Sequence, residues 1–219
     1  MDCIMDLRTS DDSIYGLEKS TGNNMNKNII YIIVSFAILA FSANWVIQKA
    51  KNSFDLPVIK KVPSFSFLTQ NGEKFSEQNL IKKATVLDFI FTSCAGPCPM
   101  MTSNMKDMYE DYKNVSEVQF VSITVDPLID NQEILRQYAI AHGVRDDRWK
   151  FLTSDLEAIK DLKKNGFMLY ADQLPQGHAI KFILIDADGQ IRKYYDGTEK
   201  ASMAVLRNDL NHLVKQIRL

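Results

Sequence analysis

The strongest pattern along the chain is an uninterrupted apolar run. From Ile29 to Ile47, IIYIIVSFAILAFSANWVI, 19 residues pass without a charge, bounded by Lys27 on one side and by Lys49 and Lys51 on the other. A helix rising about 1.5 Å per residue crosses the hydrocarbon core of a bilayer over such a length. Trp45 stands where an interfacial anchor is expected. The pattern predicts one transmembrane helix over 27–48, preceded by a polar tail at 1–26. Small residues at 40–42 suit a signal peptidase, with Met25 opening a short positive segment, but the apolar run continues past them, so a retained anchor is expected. Arg8, Lys19 and Lys27 precede the run and Lys49, Lys51, Lys60 and Lys61 follow it, so basic residues do not orient the helix. Asp2, Asp6, Asp11, Asp12 and Glu18 crowd the tail, which fits a bacterial inner-membrane protein better than the acid-poor presequence of a mitochondrial one.

Past the anchor, KAKNSFDLPVIKKV at 49–62 has no strong period and contains Pro57; it reads as a tether before a domain at 63–219. FSFLTQNGEKFS sets two short alternating stretches around Asn71-Gly72, both tolerant of positive φ, which predicts a hairpin. TVLDFIF (85–91), VQFVSITV (118–125) and IKFILID (180–186) are rich in β-branched and aromatic residues and read as buried strands. Helical patterns lie between them. The one at 132–141 buries Leu135, Tyr138 and Ala139 and stops at Gly143; the one at 154–164 opens with a capping box from Ser154 to Glu157 and stops at Gly166. A last helix over 202–217 aligns Leu206, Leu210, Leu213 and Ile217, and Asp188-Gly189 turns FILID back into QIRKYY. Strands alternating with helices and closed by a hairpin predict an α/β fold with a mixed sheet and helices on both faces. In such folds sites form just beyond the carboxyl ends of central strands.

Composition narrows the chemistry. The 219 residues are 46% hydrophobic, enough for one domain with a core, and a net charge of −1 lacks the basic excess that nucleic acid would need. Three cysteines are too few for a disulfide framework, and Cys3 lies far from Cys94 and Cys98.

That leaves TSCAGPCPMM at 92–101. Pro99 fits only the first turn of a helix and Pro97 suits its first position, so a helix is expected to begin near Pro97, with Cys94 on the entering loop and Cys98 on the first turn. Both cysteines then lie near the positive end of the helix dipole, which favours thiolate. Such a pair fits a structural disulfide, a redox-active dithiol or two ligands of a soft ion. Closing so short a loop restrains little of the unfolded chain, which counts against the first. Two thiolates suit Cu(I) or Zn(II) and call for a third ligand. His142, beside Gly143, reads as a cation at a helix C-terminus, and His212 as the solvent side of the last helix. His178 precedes a predicted core strand, where ligands gather, although a lone loop histidine is more often simply solvated. Met101, Met105 and Met108 recur at helical spacing and read as a core stripe, while Met100 adjoins the cysteine pair.

The run FSFLTQNGEKFSEQNLIKKATVLDFIFTSCAGPCPMM resembles the opening of the thioredoxin superfamily, and its CxxxCP form resembles the Sco/SenC family of copper-delivery proteins; thioredoxins proper carry CxxC. SITVDPLIDNQEILRQYA is similar to that family's Asp-Pro segment, matching Asp126, Pro127 and Asp130, and GHAIKFILIDADGQIRKYY is similar to its histidine segment. The resemblance covers about 60–217. It implies a thioredoxin-like domain behind a membrane anchor, on the periplasmic side in bacteria or in the mitochondrial intermembrane space. It also implies Cys94 and Cys98 as metal-binding and redox cysteines, His178 as the third ligand, and copper as Cu(I) or Cu(II). The implied task is delivering copper to the CuA centre of cytochrome c oxidase subunit II, or reducing that centre's cysteines. Two positions depart from the family. Gly177 stands where an aspartate is common and removes a partner for the imidazole, and Leu128 and Ile129 are apolar where charge is frequent.

Two functions follow. A metallochaperone needs both thiolates and the imidazole. A membrane-anchored thiol-disulfide reductase uses Cys94 to attack and Cys98 to resolve, and leaves His178 dispensable. A peroxidase of the peroxiredoxin kind wants an arginine beside its cysteine, which FTSCAGPCP lacks.

Overall fold

The computed structural model describes residues 27–52, 55–175 and 180–219. They fall into two compact units divided between Asp55 and Leu56. The first holds one helix, α1 (Lys27–Asn52), whose segment Lys27–Ile47 is long and apolar enough to cross a membrane.

The second unit is built on an eight-stranded mixed sheet. Its strands are β1 (Lys60–Lys61), β2 (Ser66–Thr69), β3 (Lys74–Ser76), β4 (Ala84–Ile90), β5 (Val118–Thr124), β6 (Trp149–Thr153), β7 (Lys181–Ile185) and β8 (Gln190–Asp196). They lie in the order β1-β8-β7-β4-β5-β6-β2-β3. At its centre β4, β5 and β6 run parallel, while β7 pairs antiparallel with β4 and carries β8 as a hairpin. Every residue of β4 and β5 is buried, because helices cover both faces. On one face α2 (Cys98–Asp111), α3 (Gln132–Ala141) and α5 (Lys200–Ile217) pack Met101, Met105, Met108, Leu135 and Leu206 over Val86 and Phe120. On the other, α4 (Leu156–Asp161) and the turn after it bring Ile159 and Leu162 onto Leu87, Phe89 and Val121.

Several local expectations change in the structure. Three residues, Gln70 to Gly72, separate Thr69 from Glu73, and of Asn71 and Gly72 only the glycine takes a positive φ, +82°. Asp155 rather than Ser154 caps α4, accepting from the Ala158 N–H at 2.8 Å. That helix is short and widens into a π turn over Leu162–Gly166, which carries Lys163 inward with its Nζ 5.5 Å from the centre of the Phe89 ring. In the tether, α1 extends to Asn52, and Lys60 and Lys61 pair with β8.

The β8–α5 connection is fixed against α2. Asn104 Nδ2 donates to the Gly197 carbonyl at 2.8 Å, and the Gly197 N–H donates to Ile180 at 3.2 Å. A Cβ on Gly197 would stand 2.9 Å from both Cγ and Cε of buried Met101. Gly197→Ala is therefore expected to destabilise the domain by about 1–3 kcal/mol through overpacking. Denaturant midpoints of the two chains would measure this, and identical midpoints would show that Met101 moves aside without cost.

Candidate functional site

As its prolines require, α2 starts between the two cysteines. Pro97 is its N-cap, Cys98 its first residue, and Pro99 lies in the first turn, where a missing N–H costs nothing. The start falls one residue later than the sequence suggests. Cys94 rides on the turn that leaves β4: its N–H donates to the Phe91 carbonyl at 3.3 Å, and the Gly96 N–H donates to its Sγ at 3.4 Å. Both cysteines are thiols. Cys94 is half-buried and Cys98 is 1% exposed, and the two groups hydrogen-bond to each other. The pair thus sits just past the carboxyl end of a central strand.

The helix dipole does not win at Cys98. Burial pushes its thiol up to about 12, and the hydrogen bond with Cys94 adds to the rise, while a backbone bond from Phe91 pulls the other way. A helix N-terminus offers an exposed anion about 0.3–1 kcal/mol, whereas desolvation of a buried group moves a pKa by several units. The expectation that both sulfurs favour thiolate therefore fails for Cys98. Cys98 is a buried thiol that holds its proton.

Beneath the pair lies a carboxyl group that sequence reasoning passed over. Alternation along β4 turns Val86, Asp88 and Ile90 toward α2. Asp88 is fully buried; Ser122 Oγ donates to its Oδ1 at 2.6 Å, and Trp149 Nε1 donates to the same Ser122 oxygen at 3.0 Å. Its Oδ2 accepts no hydrogen bond among the described residues. Burial pushes this carboxyl up to about 7, partly offset by the Ser122 bond. The available signal was a lone acid inside TVLDFIF, six residues before Cys94.

The other expected residues are placed as follows. His178 lies outside the described residues. Among the described residues no group of three or more histidine, cysteine, aspartate or glutamate side chains is arranged to hold a metal. His142 is the C-cap of α3, its Nδ1 2.8 Å from the Tyr138 carbonyl and its ring against Tyr138. His212 is half-buried on α5, with Nε2 3.2 Å from Gln216 Nε2. Met101, Met105 and Met108 are fully buried core, and Met100 is 55% exposed beside the cysteines.

A central β4 leading through a cysteine turn into α2, with a β7–β8 hairpin on the other side, defines a thioredoxin-like protein whose two site cysteines are separated by three residues. The SCO1/SenC family model matches residues 57–215, and the chain belongs to that family. It is 31% identical over 150 residues to the SCO1 protein homolog of Bacillus subtilis, covering 65% of this chain and 77% of that one. BsSco, described as having a disulfide switch and as a member of the Sco family of cytochrome c oxidase assembly proteins, superposes with a TM-score of 0.65 at 28% identity, over 74% of this chain and 96% of that one. Copper-bound ScoI of Arabidopsis thaliana superposes with a TM-score of 0.58 at 25% identity, over 72% and 98% of the two chains.

Proposed function

We propose that this chain is a membrane-anchored copper chaperone that carries its cargo on Cys94, Cys98 and His178 and assists assembly of the CuA site in cytochrome c oxidase subunit II. The observation that carries this reading is the pairing of a half-buried and a buried sulfur at the end of β4, in a family that includes a copper-bound relative. Two thiolates favour Cu(I), and an imidazole accommodates Cu(I) and Cu(II) alike. Cys94, the more exposed sulfur, is where an acceptor's cysteine enters, so transfer proceeds by ligand exchange from that side. The apolar helix is retained as the anchor, and the domain faces the periplasm of a bacterial inner membrane.

The test uses the full chain in detergent. Loaded with Cu(I) under reducing conditions and challenged with a moderate chelator, the wild type is expected to keep about one copper ion per chain, and Cys98→Ser and His178→Ala to lose it at least about tenfold more readily. A wild type that keeps none, or a His178→Ala chain that keeps as much, would contradict the three-ligand site.

A second reading draws on the disulfide switch described for BsSco. Here Cys94 attacks a substrate disulfide and Cys98 then displaces the substrate thiol; the domain is oxidised by two electrons and the substrate reduced by two. In that case His178→Ala leaves the exchange rate unchanged.

A further inference from the structure

The two sulfurs are held by different means. Cys98 is fixed by α2 and by burial, whereas Cys94 depends on the turn from Phe91 to Cys94. Thr92 is the second residue of that turn, and both of its hydrogen-bond donors are taken by one side chain from another loop. Its N–H donates to Asp130 Oδ2 at 3.0 Å and its hydroxyl to Oδ1 at 2.5 Å. Thr124, at the end of β5, donates its hydroxyl to the same Oδ2 at 2.6 Å. Asp130 is fully buried, and its own N–H donates back to Asp126 at 2.8 Å. Asp126 is in turn held by the Thr124 hydroxyl, which accepts from its N–H at 3.0 Å. One carboxylate thus joins the turn carrying Cys94 to the end of the neighbouring strand.

We propose that Asp130 is a positioning residue for the cysteine pair: by gripping the N–H and the hydroxyl of Thr92 it holds Cys94 at the distance from Cys98 that the pair needs to act together. Charge-assisted bonds of this kind are stronger than neutral ones, and buried donors left without an acceptor are costly, so the turn has few alternatives while the carboxylate is present. Without it Cys94 samples a wider range of positions, and the effective concentration of one sulfur at the other falls. The inference rests on reading Cys94 and Cys98 as the working pair.

The test needs no copper. The full chain in detergent is equilibrated with glutathione buffers; closing Cys94–Cys98 gives two electrons and two protons to one oxidised glutathione and yields two reduced ones. The wild-type equilibrium constant is expected to fall about tenfold or more in Asp130→Ala and about threefold in Asp130→Asn and Thr92→Val, which preserve side-chain volume. Asp209→Asn is the control. Asp209 accepts from Tyr195 at 2.8 Å and Lys193 at 2.9 Å on β8, so its loss lowers stability but leaves the equilibrium constant within twofold. Should Asp130→Ala not fold, the other two variants carry the test. Folded Thr92 and Asp130 variants within twofold of wild type, a control that shifts equally, or a wild type that forms no disulfide would each overturn the proposal. A wild type that merely fails to retain copper would sink the metal reading and leave this equilibrium as informative as before.

Discussion

Asp88→Asn is expected to stabilise the domain by up to roughly 4 kcal/mol at pH 8 and by almost nothing at pH 4. The folded carboxyl titrates at about 7 against an ordinary 3.8. Below about pH 4 both folded and unfolded chains hold the proton, and Asp88 contributes no pH-dependent penalty. As pH rises, the unfolded chain ionises while the folded domain retains its proton, so stability falls steadily until the folded carboxyl ionises as well. Above about pH 7 the penalty is complete. Asparagine keeps an oxygen for the 2.6 Å bond from Ser122 and cannot ionise, so the variant lacks this decline. Denaturant unfolding of both chains from pH 4 to pH 8 measures it. A stability difference that does not change with pH would show that water or rearrangement solvates the carboxylate.

Trp149→Ala is expected to cost about 4–5 kcal/mol, close to the total stability of many domains. Trp149 is fully buried, stacks on Phe151 with ring centres 5.0 Å apart, packs on Tyr109 at 5.8 Å and donates to Ser122. Removing it opens a cavity between β6 and α2 and also frees the hydroxyl that grips Asp88. Trp149→Phe, which retains ring packing but not the N–H, is expected to cost about 1–2 kcal/mol. Chemical denaturation separates the two substitutions. A loss below about 2 kcal/mol in the alanine variant would mean that neighbouring side chains refill the space.

Trp149 also shows where sequence reading stops. WKFLT is short, carries Lys150 and follows the charged run RDDR, so it shows no clear alternation; it becomes β6 because β5 offers a buried partner edge from Phe120 to Ile123. TVLDFIF and VQFVSITV were legible because burial on both faces leaves a continuous apolar signature. The start of α2 was legible to within one residue because proline chemistry is local. Ser154 and Asp155 both suit a cap, and only the backbone conformation chosen in the fold decides between them.

The site divides in the same way. The location of Cys94 and Cys98 followed from local rules, and the buried methionine stripe from helical spacing. The protonated state favoured by Cys98 did not, since it depends on how deeply the first turn of α2 is covered by the sheet and on the hydrogen bond with Cys94. Asp88 reads locally as an interruption in a strand, and Thr92 as an ordinary turn residue. Their roles arise from Ser122 on β5 and from Asp130 after it, which chain distance does not reveal.

The ligand set is tested most directly by X-ray absorption at the copper edge of the full chain loaded with Cu(I). Two sulfur scatterers and one imidazole nitrogen are expected, the nitrogen disappearing in His178→Ala and one sulfur disappearing in Cys98→Ser. A spectrum with no sulfur in the first shell, or one that His178→Ala leaves unchanged, would contradict it.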